Sequence, residues 1–224
     1  DGVELSEEEI KEVQRLEAKK KAKQKEVLDS KDKLFGAALS DLDLAGLDLQ
    51  NANLAKANLS HTNLSETNLS NANLIEVDLT GADLSKADLH DAYSPDAQWV
   101  AVNLSGADLR WVDFSWAVLS EANFTEANLL EVDFTEATLV ASDFTRANLS
   151  GVNFNNANLI DARLTGADLS KTLNLSPEQV ESAELDRATQ LPPYLEIEWK
   201  GKGEYEVRKK IEKKTKRKKN QKKP

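Results

Sequence analysis

Between Leu39 and Leu169 the apolar and polar positions recur every five residues, a period that neither a strand nor a helix produces. With the large apolar residue as the centre of each unit, the centres run Leu39, Leu44, Leu49, Leu54 and onward. Later they alternate Leu with Phe114, Phe124, Phe134, Phe144 and Phe154, and only Ser94 and Trp99 break the rule. Two residues before each centre stands a mostly small residue such as Ala52, Ala57, Thr62 or Val77. Asn or Asp usually fills the position between, and the two residues after the centre are variable and mostly polar. Apolar residues two apart point to one side of an extended segment, which leaves the rest of the unit to turn a corner towards solvent. Some 26 consecutive units in one register therefore predict a solenoid, whose stacked coils bury a core that no unit buries alone. Each pentapeptide makes one side of a polygonal coil, and adjacent coils bond like parallel strands about 4.8 Å apart.

Two departures stand out. Tyr93-Ser94-Pro95-Asp96 puts a polar centre and a proline in one unit, which predicts a local bulge or loop at one corner because proline removes a ladder donor. Val118, Thr138 and Arg163 replace the usual Asn or Asp and should only vary the surface.

An open stack of coils exposes strand edges that must be covered. At the N-terminus SEEEIKEVQRLEAKKKAKQKEVL reads as a helix: Ser6 and Glu9 form a capping box, acids lead and lysines trail. Its apolar stripe (Ile10, Val13, Leu16) is narrow, so the helix is expected to project or join a partner helix, while Leu34-Phe35 plugs the first coil. After the repeat, Ser176-Pro177-Glu178-Gln179 is an N-cap followed by proline at the first helical position. Alternation in Leu195, Ile197, Trp199 and in Tyr205, Val207 around KGKG predicts a hairpin. The chain thus divides into a charged helix and lead-in (1–36), the repeat (37–175), a helical cap with a hairpin (176–207) and a basic tail expected to be disordered (208–224).

GADLS at 81–85 and 166–170, NANLA at 51–55 and EANFT at 121–125 resemble the motif A(D/N)LXX of the pentapeptide-repeat family, over about 60% of the chain. NLSPEQVESAELDRATQLP resembles the C-terminal cap common in its cyanobacterial and plastid members. The resemblance implies an all-β fold, a right-handed quadrilateral parallel β-helix with four pentapeptides per coil, carrying the N-terminal helix and a short C-terminal capping helix. On that geometry the rod is about 31 Å long. Phenylalanines ten residues apart then lie half a coil apart and alternate between opposite walls, a packing arrangement.

Charge divides unevenly. Residues 37–175 hold 6 basic and 20 acidic groups, a net of −14, whereas 200–224 hold 13 basic and 3 acidic, a net of +10. No apolar run approaches the ~18 residues of a membrane span, so the chain is read as soluble, without a transmembrane segment. The compartment stays open between the cytoplasm and, if Asp1 is a processed end, a thylakoid lumen or periplasm. There is no cysteine, which removes disulfides and thiolate chemistry. The two histidines, His61 and His90, fall at outward positions; His90, Asp91 and Asp96 offer at most an adventitious metal contact. No nucleophile elbow, Walker loop or dinucleotide signature is present, and a convex rod lacks the concave pocket of an active site. The chain is therefore read as no enzyme, with no catalytic residue, cofactor or metal. Seven N-x-S/T matches, Asn58 among them, are generated by the repeat itself and assign no glycosylation.

Two surface features exceed this background. Glu121, Glu126, Glu131 and Glu136 take the last position of four consecutive units, a Glu at every corner of one coil. Trp111 and Trp116 take the same outward position one coil earlier, and exposed tryptophan is enriched where proteins meet partners. These six residues form the candidate partner surface. The preferred function is a scaffold or protein-binding module presenting a rigid acidic rod to a protein partner not identified by the sequence. The alternative is DNA mimicry, because the family resembled here includes gyrase-protecting proteins of fluoroquinolone resistance. A third possibility makes the basic tail a tether to nucleic acid or an anionic membrane, with steep salt dependence.

Overall fold

The computed structural model describes residues 6–201 and 204–210. From Ala38 to Asp143, residues 20 apart form parallel bridges at every fifth position: Ala38 with Asn58, Asp43 with Asn63, Asp48 with Asn68, Asn53 with Asn73, and so on up to Asp143 with Arg163. Four bridged positions per 20 residues give each coil four walls. Each wall contributes a single bridged residue per coil, because five residues leave no room for a longer strand once a corner is turned. Among the described residues, the only extended strand pair is the terminal hairpin.

One unit shows why the pattern is what it is. Around Leu104, the Leu104 N–H donates to the Asn123 carbonyl (2.8 Å) and the Gly106 N–H to that of Thr125 (2.9 Å), both in the next coil. Asn103 N–H donates to Ala82 in the previous coil (3.0 Å), and Ala107 N–H closes the turn onto Leu104 (3.1 Å). The remaining donor, Ser105 N–H, goes to the Asn103 side-chain oxygen (3.2 Å). The Asn or Asp before each centre is thus an Asx turn that satisfies the one amide the ladder leaves over. Asparagines also bond vertically, Asn103 to Asp83 (2.8 Å) and Asn123 to Asn103 (3.1 Å).

From Gly36 to Gly166 the second residue after each centre is left-handed, with φ of 59° at Asn51, 61° at Trp111 and 63° at Trp116. That conformation crowds Cβ against the carbonyl at about 1–2 kcal/mol per residue. Among the described residues no Val, Ile or Thr occupies a positive-φ position, since a branched Cβ worsens the clash.

The bulge expected at Tyr93–Asp96 does not form. Tyr93 is bridged to Asn73 below and Asp113 above, and Asp96 takes the usual left-handed corner. Pro95 stands at the position whose N–H serves only the Asx turn, so it removes no ladder bond. Ser94 and Trp99 are one feature: the buried Trp99 indole N–H donates to the Ser94 hydroxyl (2.9 Å).

The core is a column of buried Leu and Phe flanked by small residues. Phe114, Phe134 and Phe154 stack on one wall, and Phe124 and Phe144 on the opposite one. The two stacks meet edge to face, with centroids 5.8 Å apart for Phe124 and Phe134. Helix α1 (Glu7–Asp29) is capped by Ser6 and Glu9. Its last turns reach the first coil through buried Val27, a Lys20–Asp43 pair (2.5 Å) and Gln24 on the Asp43 carbonyl (3.2 Å). Leu34 is buried but Phe35 is exposed, because Leu34 falls on the five-residue register and Phe35 one place beyond it. At the other end α2 (Pro177–Ser182) buries Val180, and Gln179 caps the carbonyls of Phe154 and Ala157 (2.7 Å each). Coil pairing continues through Glu184 and Gln190, which bridge Arg163 and Asp168. The hairpin β1 (Leu195–Gly201) and β2 (Glu204–Lys209) closes this end, with buried Leu195 and Val207 and with Tyr205 donating to Ala183 (2.6 Å). Lys202, Gly203 and residues 211–224, most of the basic tail, lie outside the described residues.

Candidate interaction surface

With 20 residues per coil, the wall flanked by Trp111 and Trp116 runs from residues 51–56 through 71–76, 91–96, 111–116, 131–136 and 151–156 to Leu173, one coil above another. Trp111 and Trp116 mark its two edges in the middle coil and are 43% and 60% exposed. Their left-handed backbone turns each indole outward at a corner. The two rings make no stacking contact with each other. Between them, one coil below, lies Tyr93, 48% exposed, in the column of Asn73 and Asp113. Glu131 and Glu136 mark the same edges one coil above, and Asp91 and Asp96 one coil below.

The five coils of this wall from 71–76 to 151–156 contain no Lys or Arg and carry seven carboxylates, and the wall's lysines, Lys56 and Lys171, stand at the edge in the coils below and above them. Glu76 pairs with Lys56, one coil below it in the same edge column (3.4 Å). Asp91, Asp96, Asp113, Glu131, Asp133 and Glu136 have no ion-pair partner among the described residues. Elsewhere acids are met: Glu126 by Arg146 (3.0 Å), Asp143 by Arg163 (2.8 Å), Asp108 by Arg110 (2.6 Å). Partial burial pushes the Asp108 carboxyl up, but bonds to Arg110 outweigh it and hold it below the ordinary carboxylate range. Arg110 also lies 5.1 Å from the Trp111 ring centre, so one cation already sits at the rim of the aromatic edge.

The four corner glutamates do not act as a set. Glu131 accepts from the Trp111 indole N–H in its own column (3.3 Å) and Glu136 from Asn156 (2.7 Å). Glu126 is tied to Arg146, and Glu121, between Ala101 and Ala141, makes no side-chain bond among the described residues. The structure therefore joins Trp111, Trp116, Glu131 and Glu136 on one wall and places the opposite corners, Glu121 and Glu126, elsewhere. Tyr93 escaped sequence reading although the signal was available: residue 93 plus one coil falls between 111 and 116. His90 turns to Asp88 (2.7 Å) rather than to Asp91 or Asp96. Among the described residues no group of three His, Asp or Glu side chains could hold a metal ion, and no helix is long and apolar enough to cross a membrane.

Above Glu131 the wall is notched. Gly151 leaves a space in which a Cβ would lie 2.9 Å from the Glu131 Cγ. A shallow groove runs from Glu131 and Asp133 past Gly151 and Asn153 to Leu173. A second begins at Leu173 and continues past Asn174 to Tyr194 and Lys209.

The family described as pentapeptide repeats matches in eight copies, over residues 33–71, 62–93, 103–139 and 138–173. Among solved structures, HetL of the cyanobacterium Nostoc sp. strain PCC 7120, involved in heterocyst differentiation regulation, is 24% identical. The match covers 75% of this chain and 88% of that one, with a TM-score of 0.31. A pentapeptide repeat protein of the Arabidopsis thaliana thylakoid lumen is 31% identical over 56% of this chain and 70% of that one (TM-score 0.29). QnrB1, a plasmid-mediated fluoroquinolone resistance protein, is 21% identical over 73% and 86% (TM-score 0.37). No curated protein matches the chain significantly.

Proposed function

Because the chain belongs to the pentapeptide-repeat family, we propose that it is a non-enzymatic binding rod, a right-handed four-walled β-helix that presents one wall to a basic protein partner. The observation that carries this reading is the concentration of Trp111, Trp116 and Tyr93 with six carboxylates that have no ion-pair partner among the described residues, on five successive coils of one wall that hold no Lys or Arg. A lysine or arginine laid there meets an aromatic face and a carboxylate together, and each exposed cation–π contact contributes about 0.5–1 kcal/mol. Rigid aromatic anchors lose little entropy on binding, and six like charges steer a basic partner inward. The division into a helix and lead-in (1–36), rod (37–175), cap with hairpin (176–207) and basic tail (208–224) serves this role: the helix and the cap cover the open coils at the two ends of the rod.

The test is the anisotropy of fluorescein-labelled deca-lysine titrated with the protein at low salt. Trp111→Ala and Trp116→Ala should each weaken binding two- to fivefold, the equivalent of 0.5–1 kcal/mol. Phe35→Ala, an exposed aromatic off the wall, should change nothing. Equal effects from all three would end the reading.

The charge density of the repeat supports the second reading, DNA mimicry: a net of −14 over about 31 Å is about one charge per 2.2 Å, against about one per 1.7 Å in B-DNA. Mimicry requires inhibition of gyrase supercoiling, or protection of gyrase from a quinolone, and should depend on acids of several walls. The binding-rod reading expects no effect on supercoiling.

A further inference from the structure

We propose that residues 211–224 of this chain dock in the grooves of the Trp111/Trp116 wall and cover it in the free protein. The inference rests on the reading of that wall as the partner surface and names its regulator. Segment 211–224, IEKKTKRKKNQKKP, carries eight Lys or Arg against one Glu. Its point of departure is fixed by the cap: the Lys210 N–H donates to the Tyr194 carbonyl (2.9 Å), and the Tyr194 hydroxyl accepts from the Leu175 N–H (3.0 Å). Tyr194 and Lys209 line the upper groove, and Leu173, 52% exposed, is shared with the lower one. The lower groove ends at Glu131 and Asp133. The described chain thus stops at the head of a track that leads down to the unpaired carboxylates.

Reach and charge agree with this occupant. Leu173 stands three bridged coils above Asp113 on the same wall, about 14 Å at ~4.8 Å per coil. Fourteen extended residues span up to about 46–50 Å, more than enough chain for Lys213 to Lys219 to reach Glu131, Glu136 and the two tryptophans. Gly151 keeps the track open, since a side chain there would meet Glu131. A basic partner then competes with a tethered copy of its own chemistry, and high salt or a modification that removes lysine charge uncovers the wall.

The chain has no cysteine, so Lys218→Cys gives the intact protein one attachment point for a nitroxide. At low salt the label should broaden the indole N–H signals of Trp111 and Trp116 and the amides of Tyr93, Asp113 and Asp133. Amides of Asn103, Asn123 and Asp143 on the opposite wall should broaden less. Reversing the wall charge with Glu131→Lys and Glu136→Lys, or raising salt to about 0.5 M, should abolish the contrast while the rest of the spectrum keeps its dispersion. Broadening equal on all walls, or confined to residues 175–195, overturns the proposal. So does broadening seen only between labelled and isotope-enriched copies, which assigns the groove to a second molecule. No partner takes part, so failure here leaves the deca-lysine test to judge the binding rod separately.

Discussion

Moving proline within a unit separates the amides that hold coils together from the one that does not. At Ser105, the position Pro95 occupies in its own unit, the N–H meets only the Asn103 side chain (3.2 Å). Ser105→Pro loses that bond, about 0.5–1.5 kcal/mol, and recovers about 0.4–1 kcal/mol by stiffening the unfolded chain. The net change should stay within about 1 kcal/mol of the parent. Two residues earlier, Asn103→Pro removes a ladder donor and orphans the Ala82 carbonyl it serves at 3.0 Å. A buried acceptor left unpaired costs about 1–3 kcal/mol, and the ring adds its clash. A loss of about 3 kcal/mol or more beyond that of Asn103→Ala, which removes the same side-chain bonds, is expected. Urea unfolding followed by circular dichroism reads all three variants, provided the slope with denaturant is unchanged. If Ser105→Pro destabilises as much as Asn103→Pro, the assignment of amides within the coil is wrong.

Phe134 touches Phe114 and Phe154 in its own stack and Phe124 and Phe144 across the core, so Phe134→Ala should cost about 3–5 kcal/mol in urea titration. Ser94→Ala orphans the buried Trp99 indole N–H and should cost about 1–3 kcal/mol, measured the same way. Partial burial raises the Asp143 carboxyl, but the Thr145 hydroxyl and amide and the Arg163 guanidinium outweigh it and hold it below its ordinary value. A depressed folded value gives stability that is full above the unfolded carboxylate range and lost as pH falls through the folded one. The melting temperature of the parent should therefore drop more between pH 5 and pH 3 than that of Asp143→Asn.

The five-residue period was enough to expose a coil of five-residue sides and its core column, because burial of one large and one small residue per unit is a requirement of every coil. The count of four walls, and with it the two phenylalanine stacks, came instead from the resemblance to pentapeptide repeats. What the corners demand was harder to see. A left-handed corner admits Trp, Glu and His alike and shows itself only as missing Val, Ile and Thr, a signal carried by absence. Pro95 misled for the same reason: proline reads as a ladder breaker until the one unladdered amide per unit is known. Phe35 looked like a plug because it is large and apolar, but it lies one place out of register. The candidate surface was half legible. Trp111 and Trp116 stood out by type, whereas Tyr93, the Gly151 notch and the split of the four glutamates across walls depend on which residues lie 20 apart.

Amide and indole chemical shifts followed during a low-salt titration with deca-lysine test the wall most directly. Shifts centred on Tyr93, Trp111, Asp113, Trp116, Glu131 and Glu136, with Trp99 and the opposite wall unmoved, are the result the account requires. Shifts spread evenly over all four walls would show that the rod attracts basic chains only through its overall charge and would contradict it.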